Sequence, residues 1–193
     1  AQHVEEDLTG KIDMIVDGGP VDIGVESSIL DVTVDPPMIL RPGAITKEMF
    51  ESVVGTVAVD HTLIKPDSKE VPKAPGMKYR HYAPKAQLTV VEGDTEAVVN
   101  YINKRTAEHV ANGMRAGIIA TAETMEQYRA GDIKCIGTRA DERTIAAGLF
   151  GVLREFDSDG VNVIYSEAFQ EEGIGSAIMN RLLKAAGHQV IHV

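Results

Sequence analysis

The run Ala116-Gly117-Ile118-Ile119-Ala120 decides the fold of the larger part of this 193-residue chain. Five apolar residues without polar alternation are typical of a strand that is buried on both faces, as in parallel sheets. Strands predicted at 86–91, 133–136 and 161–165 alternate with helices predicted at 95–112, 123–129, 141–156 and 173–186. This alternation favours an α/β fold with a small doubly wound parallel sheet.

Residues 1–55 have a different pattern. Short runs rich in Val and Ile at 12–16, 21–24, 28–33 and 38–41 are separated by turn residues and predict a β-meander fragment. Residues 1–8 have the spacing of the end of a helix. Thr46 is placed to cap a second helix, which Gly55 would close.

We predict three regions: residues 1–55, a linker at 56–85 and the Rossmann-like domain at 86–193. The boundary falls where apolar periodicity gives way to a mixed polar segment with Pro66 and Pro72. Because the first residue is not Met and an amphipathic stretch has already begun there, we expect the chain to be the C-terminal part of a longer protein.

The composition limits the classes of function. A net charge of −10 and a pI near 5.0 disfavour a protein that coats nucleic acid. The single cysteine, Cys135, permits no intramolecular disulfide, and we expect it in the core of a protein of the reducing cytoplasm. Neither a membrane-spanning run nor a signal-peptide pattern is visible, so we expect no membrane partner.

The most unusual segment is Lys73-Ala74-Pro75-Gly76-Met77-Lys78-Tyr79-Arg80-His81-Tyr82-Ala83-Pro84. It lies where a small, polar spacer is expected, yet it concentrates cations, aromatic rings and a histidine. Its candidate contact residues are Lys78, Tyr79, Arg80, His81 and Tyr82. These groups suit an anion or a stacked base, and the alternative is that the rings only pack the linker against a domain surface.

Two further candidates lie near the predicted strands. Ser27 and Ser28 place hydroxyls at a strand edge, where they act either as turn residues or as contacts for a phosphate or carboxylate. Arg41, before Pro42-Gly43, is placed to present a planar fork to an anion or to form a surface ion pair. The short separation allows Ser28 and Arg41 to face one pocket.

Five motifs, in this order, resemble the threonylcarbamoyl-AMP synthase family in its long form. That form has a YrdC-like catalytic domain, a linker and a smaller Rossmann-like domain. The motifs are residues 17–20 (DGGP), 24–31 (GVESSILD), 39–43 (ILRPG), 75–84 (PGMKYRHYAP) and 178–187 (IMNRLLKAAG). The family usually has Ser-Thr where this chain has Ser27-Ser28.

The resemblance implies a nucleotidyltransferase that condenses L-threonine, bicarbonate and ATP into threonylcarbamoyl-adenylate and pyrophosphate, for the modification of tRNA. Mg²⁺ is expected with ATP, and tRNA or tRNA-modification proteins are expected downstream. By the same resemblance Ser27 contacts threonine and Arg41 the nucleotide.

The linker would form a lid that brings Tyr79, His81 and Tyr82 to ATP, with Ser28, Lys78 and Arg80 as further candidates. No catalytic residue is assigned, because the family's basic nucleotide site lies in a region that this chain lacks. The alternative function is a nucleotide- or RNA-binding module without catalysis.

Overall fold

Two sheets organise the chain in the computed structural model, which describes residues 1–19, 21–64, 73–74 and 83–193. Residues 1–64 carry α1 (Gln2–Leu8), β1 (Ile29–Asp31), β2 (Met38–Arg41), α2 (Lys47–Val54), β3 (Ala58–Val59) and α3 (His61–Ile64), and the three strands form the smaller sheet. The larger unit comprises β4 (Gln87–Glu92), α4 (Thr95–Ala111), β5 (Ala116–Ala120), β6 (Asp132–Cys135), α5 (Glu142–Asp159), β7 (Val163–Glu167), α6 (Gly175–Ala185) and β8 (Val190–His192).

The larger sheet confirms the predicted parallel α/β architecture. Its strand order is β6-β5-β7-β4-β8, and every neighbouring pair is parallel. All five residues of β5 are buried, as its apolar run predicted. Two details differ: the helix predicted at 123–129 is a 3₁₀ turn over Met125–Gln127, and β8 was not predicted, because it is only three residues long.

Helices cover both faces of this sheet. On one face α5 and α6 form a core with β4, β5 and β7, and Phe156 at its centre is fully buried. A Cβ added at Gly117 would lie 2.6 Å from the Phe156 ring, which explains a glycine within an otherwise apolar strand. The opposite face is covered by α4 through Val98, Val99 and Ile102.

The smaller sheet corrects part of the β-meander prediction. Strands β1 and β2 are antiparallel as expected, but β2 pairs with β3 in parallel. Residues 12–16 and 21–24 are not strands, and apolar side chains there, such as Val16 and Val21, are largely exposed. Alternating apolar residues form a strand only beside a pairing partner, and none of the described strands pairs with these two segments.

Local signals for the helices were more reliable. The Thr46 side chain caps α2 by accepting from the Met49 N–H, and Gly55 follows its last residue at φ +80°. The first helix ends at Leu8, close to the expected position. The predicted region boundaries stay a prediction, although β3 extends the smaller sheet past residue 55.

Cys135 was expected in the core, and this was wrong. It is exposed, because β6 is an edge strand of the sheet and the next residue, Ile136, takes the buried position. Among the described residues, no helix is both long enough and apolar enough to cross a membrane.

Candidate functional site

The segment 24–28 runs between the two sheets and brings the candidate site together. Gly24 lies so close to α5 that an added Cβ would come within 2.3 Å of the Ala146 carbonyl oxygen. The next residue, Val25, is 9% exposed and belongs to the core cluster of the larger unit. The backbone that leads to the two candidate serines is therefore fixed by the larger unit.

Ser27 and Arg41 are in direct contact, as their positions on neighbouring segments allow. The Arg41 Nε donates to the Ser27 carbonyl oxygen at 2.9 Å, and its Nη2 donates to the Ser27 hydroxyl at 3.0 Å. Arg41 ends β2 opposite Ile29 of β1, which explains why the two side chains meet. The third nitrogen, Nη1, makes no hydrogen bond within the described part of the chain.

Ser28 acts as a turn residue, one of the two roles left open for the serines. Instead of facing a pocket with Arg41, its hydroxyl donates to the Ile45 carbonyl oxygen at 2.7 Å and accepts from the Ile45 N–H at 3.1 Å. Gly43 packs against the same residue, since a Cβ there would lie 2.5 Å from the Ser28 nitrogen. Ser28 therefore anchors the turn that follows Arg41.

Helix α6 of the larger unit reaches this site through Arg181. Its Nε forms an ion pair with the Glu26 carboxylate, and its Nη2 donates to the Pro42 carbonyl oxygen at 3.2 Å. The Arg181 side chain is only 4% exposed. One buried guanidinium thus joins the residue before Ser27 to the residue after Arg41.

A second cation of α6, Lys184, makes the surroundings electropositive. It is 9% exposed. Burial lowers its pKa to about 8, the positive charges of Arg181 and Arg41 act in the same direction, and Glu26 opposes them. One sequence signal could have identified Arg181 and Lys184 as site residues, because cations at i and i+3 on the apolar face of a helix are unusual.

The predicted linker contacts, Lys78, Tyr79, Arg80, His81 and Tyr82, lie outside the described residues. The structure does show where the linker rejoins the larger unit. The Lys85 N–H donates to the Asp157 carboxylate of α5 at 2.7 Å.

Three cavities are lined by residues of the described part of the chain. One of about 420 Å³ lies between the smaller sheet and α6 and is lined by Pro42, Gly43 and Asn180. The largest, about 800 Å³, is lined by residues of α1 and α5 and by neither Ser27 nor Arg41. A third, of about 490 Å³, lies at the carboxyl ends of β4 and β7, the edge where ligands bind in doubly wound sheets.

The third cavity contains a buried carboxylate that sequence reasoning missed. Glu167 is 2% exposed and accepts hydrogen bonds from Thr124, from the Tyr128 hydroxyl at 2.8 Å and from Arg139 at 2.7 Å. Burial, followed by the charge of Glu167, raises the pKa of the Tyr128 phenol. This network satisfies the carboxylate internally, so it supports the fold.

Gly175, the first residue of α6, has a structural role. A Cβ on Gly175 would come within 2.1 Å of the Gln170 carbonyl oxygen, so this glycine permits close packing. No cluster of three metal-binding side chains is found in residues 1–19, 21–64, 73–74 and 83–193.

Comparison with known proteins gives one consistent family. Residues 45–187 match the family model "Threonylcarbamoyl-AMP synthase, C-terminal domain", and residues 1–43 match a model described as "Telomere recombination". A threonylcarbamoyl-AMP synthase of Bacillus subtilis is 48% identical over 99% of this chain and 54% of its own length. One of Pyrococcus abyssi is 43% identical over 100% of this chain and 55% of its own length.

A solved structure supports the same family. The crystal structure of P. abyssi Sua5 complexed with L-threonine is 40% identical, with a TM-score of 0.89, and the match covers 100% of this chain and 55% of that chain. The chain thus spans about half the length of the relatives it matches. The matched models, the sequence identity and the shared fold show that the chain belongs to the threonylcarbamoyl-AMP synthase family.

Proposed function

We propose that the protein condenses L-threonine, bicarbonate and ATP into threonylcarbamoyl-adenylate with release of pyrophosphate. The observation that carries the proposal is the hydrogen-bonded pair of Ser27 and Arg41 in a chain whose relatives are threonylcarbamoyl-AMP synthases. A solved relative, P. abyssi Sua5, has been crystallised with L-threonine. The chain covers about half of such relatives, so we assign it a part of the catalytic unit.

The reaction has two bond-forming steps. The threonine amine attacks the carbon of bicarbonate, and a carbamate forms with loss of water. A carbamate oxygen then attacks the α-phosphorus of ATP, and the bond to the β-phosphate breaks, so pyrophosphate leaves. The product is a mixed anhydride that water hydrolyses, and the enzyme therefore needs a site from which water is excluded.

The two described site residues have separate roles in this proposal. Arg41 contacts the nucleotide through its Nη1, since its other two nitrogens already hold Ser27. A guanidinium keeps its charge at all working pH values and suits a phosphate oxygen. Ser27 contacts threonine through its hydroxyl, which the Arg41 donor orients. Mg²⁺ enters with ATP, and we assign no residue of the described chain to it.

The linker completes the site as a lid. Its cations, Lys78 and Arg80, offset the charge of the triphosphate, while Tyr79, His81 and Tyr82 contact the nucleotide. The junction at Lys85, held by Asp157, gives such a lid a fixed end. We place the protein in the cytoplasm, where the product serves the modification of tRNA, and a single cysteine suits that compartment.

The test is pyrophosphate release by the full-length protein, measured with each substrate omitted in turn. We expect release to require L-threonine, bicarbonate and ATP together. Arg41→Ala should raise KM for ATP at least about tenfold, because a charged hydrogen bond to phosphate contributes about 1.5–3 kcal/mol. Ser27→Ala should raise KM for threonine.

Ser158→Ala is the matched control for the serine variant. This residue is exposed on α5, and its hydroxyl donates only to the Arg154 carbonyl oxygen. Pyrophosphate release without threonine would contradict the proposal. Salt-dependent binding of tRNA by a protein that makes no adenylate would instead favour the binding-module alternative.

A further inference from the structure

We infer that Arg181 is a positioning residue that holds Ser27 and Arg41 in register for the reaction. The inference rests on the proposed function, because it concerns the same substrate site. Arg181 belongs to α6, in the larger unit, whereas Ser27 and Arg41 belong to the smaller sheet and the segment leading to it. The larger unit would thus set the geometry of a pair of residues that lies outside it.

The contacts of Arg181 carry the argument. Its Nε bonds the Glu26 carboxylate, one residue before Ser27, and its Nη2 donates to the carbonyl oxygen of Pro42, one residue after Arg41. The remaining nitrogen, Nη1, donates to the Asn180 side-chain oxygen at 2.7 Å. Each nitrogen of the planar fork therefore has a partner in a fixed direction.

Burial makes this bridge stiff. Arg181 is 4% exposed and Glu26 is 29% exposed, so the ion pair is less screened than a surface pair. Two different backbone segments are tied to one rigid group, and neither can shift without breaking a charged hydrogen bond. A lysine has the same charge but lacks the planar fork, and it cannot reproduce both directions.

The consequence for catalysis follows from distance. Ser27 and Arg41 sit one residue from the two bridged positions, so loosening the bridge moves both side chains relative to each other. A misplacement of about 1 Å in an enzyme site can lower the rate about a hundredfold. The bridge therefore acts on substrate geometry, in addition to any effect on stability.

The experiment compares two arginine bridges between the units in the full-length enzyme. Arg181→Lys breaks the bridge beside the site. Arg154→Gln breaks the other, in which Arg154 of α5 pairs with Glu6 and Asp7 of α1. We measure kcat, KM for threonine, KM for ATP and the melting temperature. We expect Arg181→Lys to raise both KM values and to lower kcat/KM for each substrate at least about tenfold. Arg154→Gln should leave the KM values and both ratios unchanged.

Glu26→Gln is the second variant, because it preserves side-chain volume at a partly exposed position and folds even if the Arg181 variant does not. It should raise both KM values as well. The double variant should be no worse than Arg181→Lys, since both changes break one interaction.

Four outcomes decide between the hypotheses. The inference is supported if the KM values rise in the Arg181 and Glu26 variants but not in the Arg154 variant. Wild-type KM values in both variants, or a lower melting temperature with wild-type kinetics, overturn it and leave the proposed function standing. Raised KM values in the Arg154 variant as well would show a general effect of contact between the units and overturn it too. A wild-type enzyme without threonine dependence would remove the proposed function, and the inference with it.

Discussion

Adding one methyl group at Gly24 tests whether the segment 24–28 is held against the larger unit. In Gly24→Ala the new Cβ would lie 2.3 Å from the Ala146 oxygen and 2.5 Å from the Ala147 Cα, whereas ordinary contacts begin at 3.4 Å. These are backbone atoms in the middle of α5, so they cannot swing aside. Since 2.3 Å falls short of 3.4 Å by about 1.1 Å, the segment must move by about 1 Å.

The expected loss of stability follows from this steric overlap. Overfilling a packed contact costs about 1–3 kcal/mol, and we expect the free energy of unfolding to fall by about 2 kcal/mol. Because Ser27 is three residues away, a 1 Å displacement should also raise KM for threonine about tenfold or more. Urea unfolding, followed by circular dichroism, measures the first quantity, and pyrophosphate release measures the second.

Gly151→Ala provides the matched control in the same structure. Gly151 lies within α5, and a Cβ there meets no atom within 4 Å. We expect this variant to be more stable by about 0.5–1 kcal/mol, as alanine favours a helix over glycine. If Gly24→Ala unfolds at the same urea concentration as the wild type, then the segment is not packed on α5 and the reasoning is refuted.

Three titration and stability predictions complete the set. Burial lowers the pKa of Lys184 to about 8 in the folded protein, against 10.5 for an ordinary lysine. Between these two pH values the unfolded chain therefore binds more protons than the folded protein. The free energy of unfolding should rise with pH in this range, by about 3 kcal/mol at most. Lys184→Met should abolish this rise in urea unfolding curves, and an unchanged slope would exclude Lys184 as its source. The hydrogen bond from Thr138 lowers the pKa of Glu123 to about 2. Thr138→Val should raise this pKa towards 4.5, as measured by an NMR titration of the Glu123 carboxyl carbon. An unchanged pKa would contradict the assigned cause. Tyr128→Phe should lower the free energy of unfolding by about 2 kcal/mol, because the buried Glu167 carboxylate loses a donor; no loss in urea unfolding would show that the bond is dispensable.

The larger sheet was predictable because its three central strands, β4, β5 and β7, are largely buried on both faces. A strand of this kind can be predicted from its own continuous apolar run, whatever strand lies beside it. The run at 116–120 matches β5 residue for residue. The smaller sheet was harder, because a half-buried strand depends on what lies beside it. The apolar runs at 12–16 and 21–24 therefore gave false strands, while β3, only two residues long, had no readable signal.

The candidate site also has one part that the sequence predicts and one part that it does not. The proximity of the serine pair to Arg41 could be predicted from two neighbouring strands, but the choice between Ser27 and Ser28 could not. Successive side chains point in opposite directions, and only the observed turn at Ile45 decides which hydroxyl meets the arginine. The contribution of Arg181 joins residues 155 positions apart, a contact that no local pattern encodes.

The passage of residues 24–26 between the sheets has a consequence for chimeric proteins built from two relatives. Val25 fills the core of the larger unit, Gly24 fits the α5 backbone, and Glu26 pairs with Arg181. Joining the small sheet of one relative to the large sheet of another would separate these partners even if the linker were kept intact. Productive exchanges should carry residues 24–26 together with α5 and α6, so the interchangeable module is defined by this contact rather than by the linker.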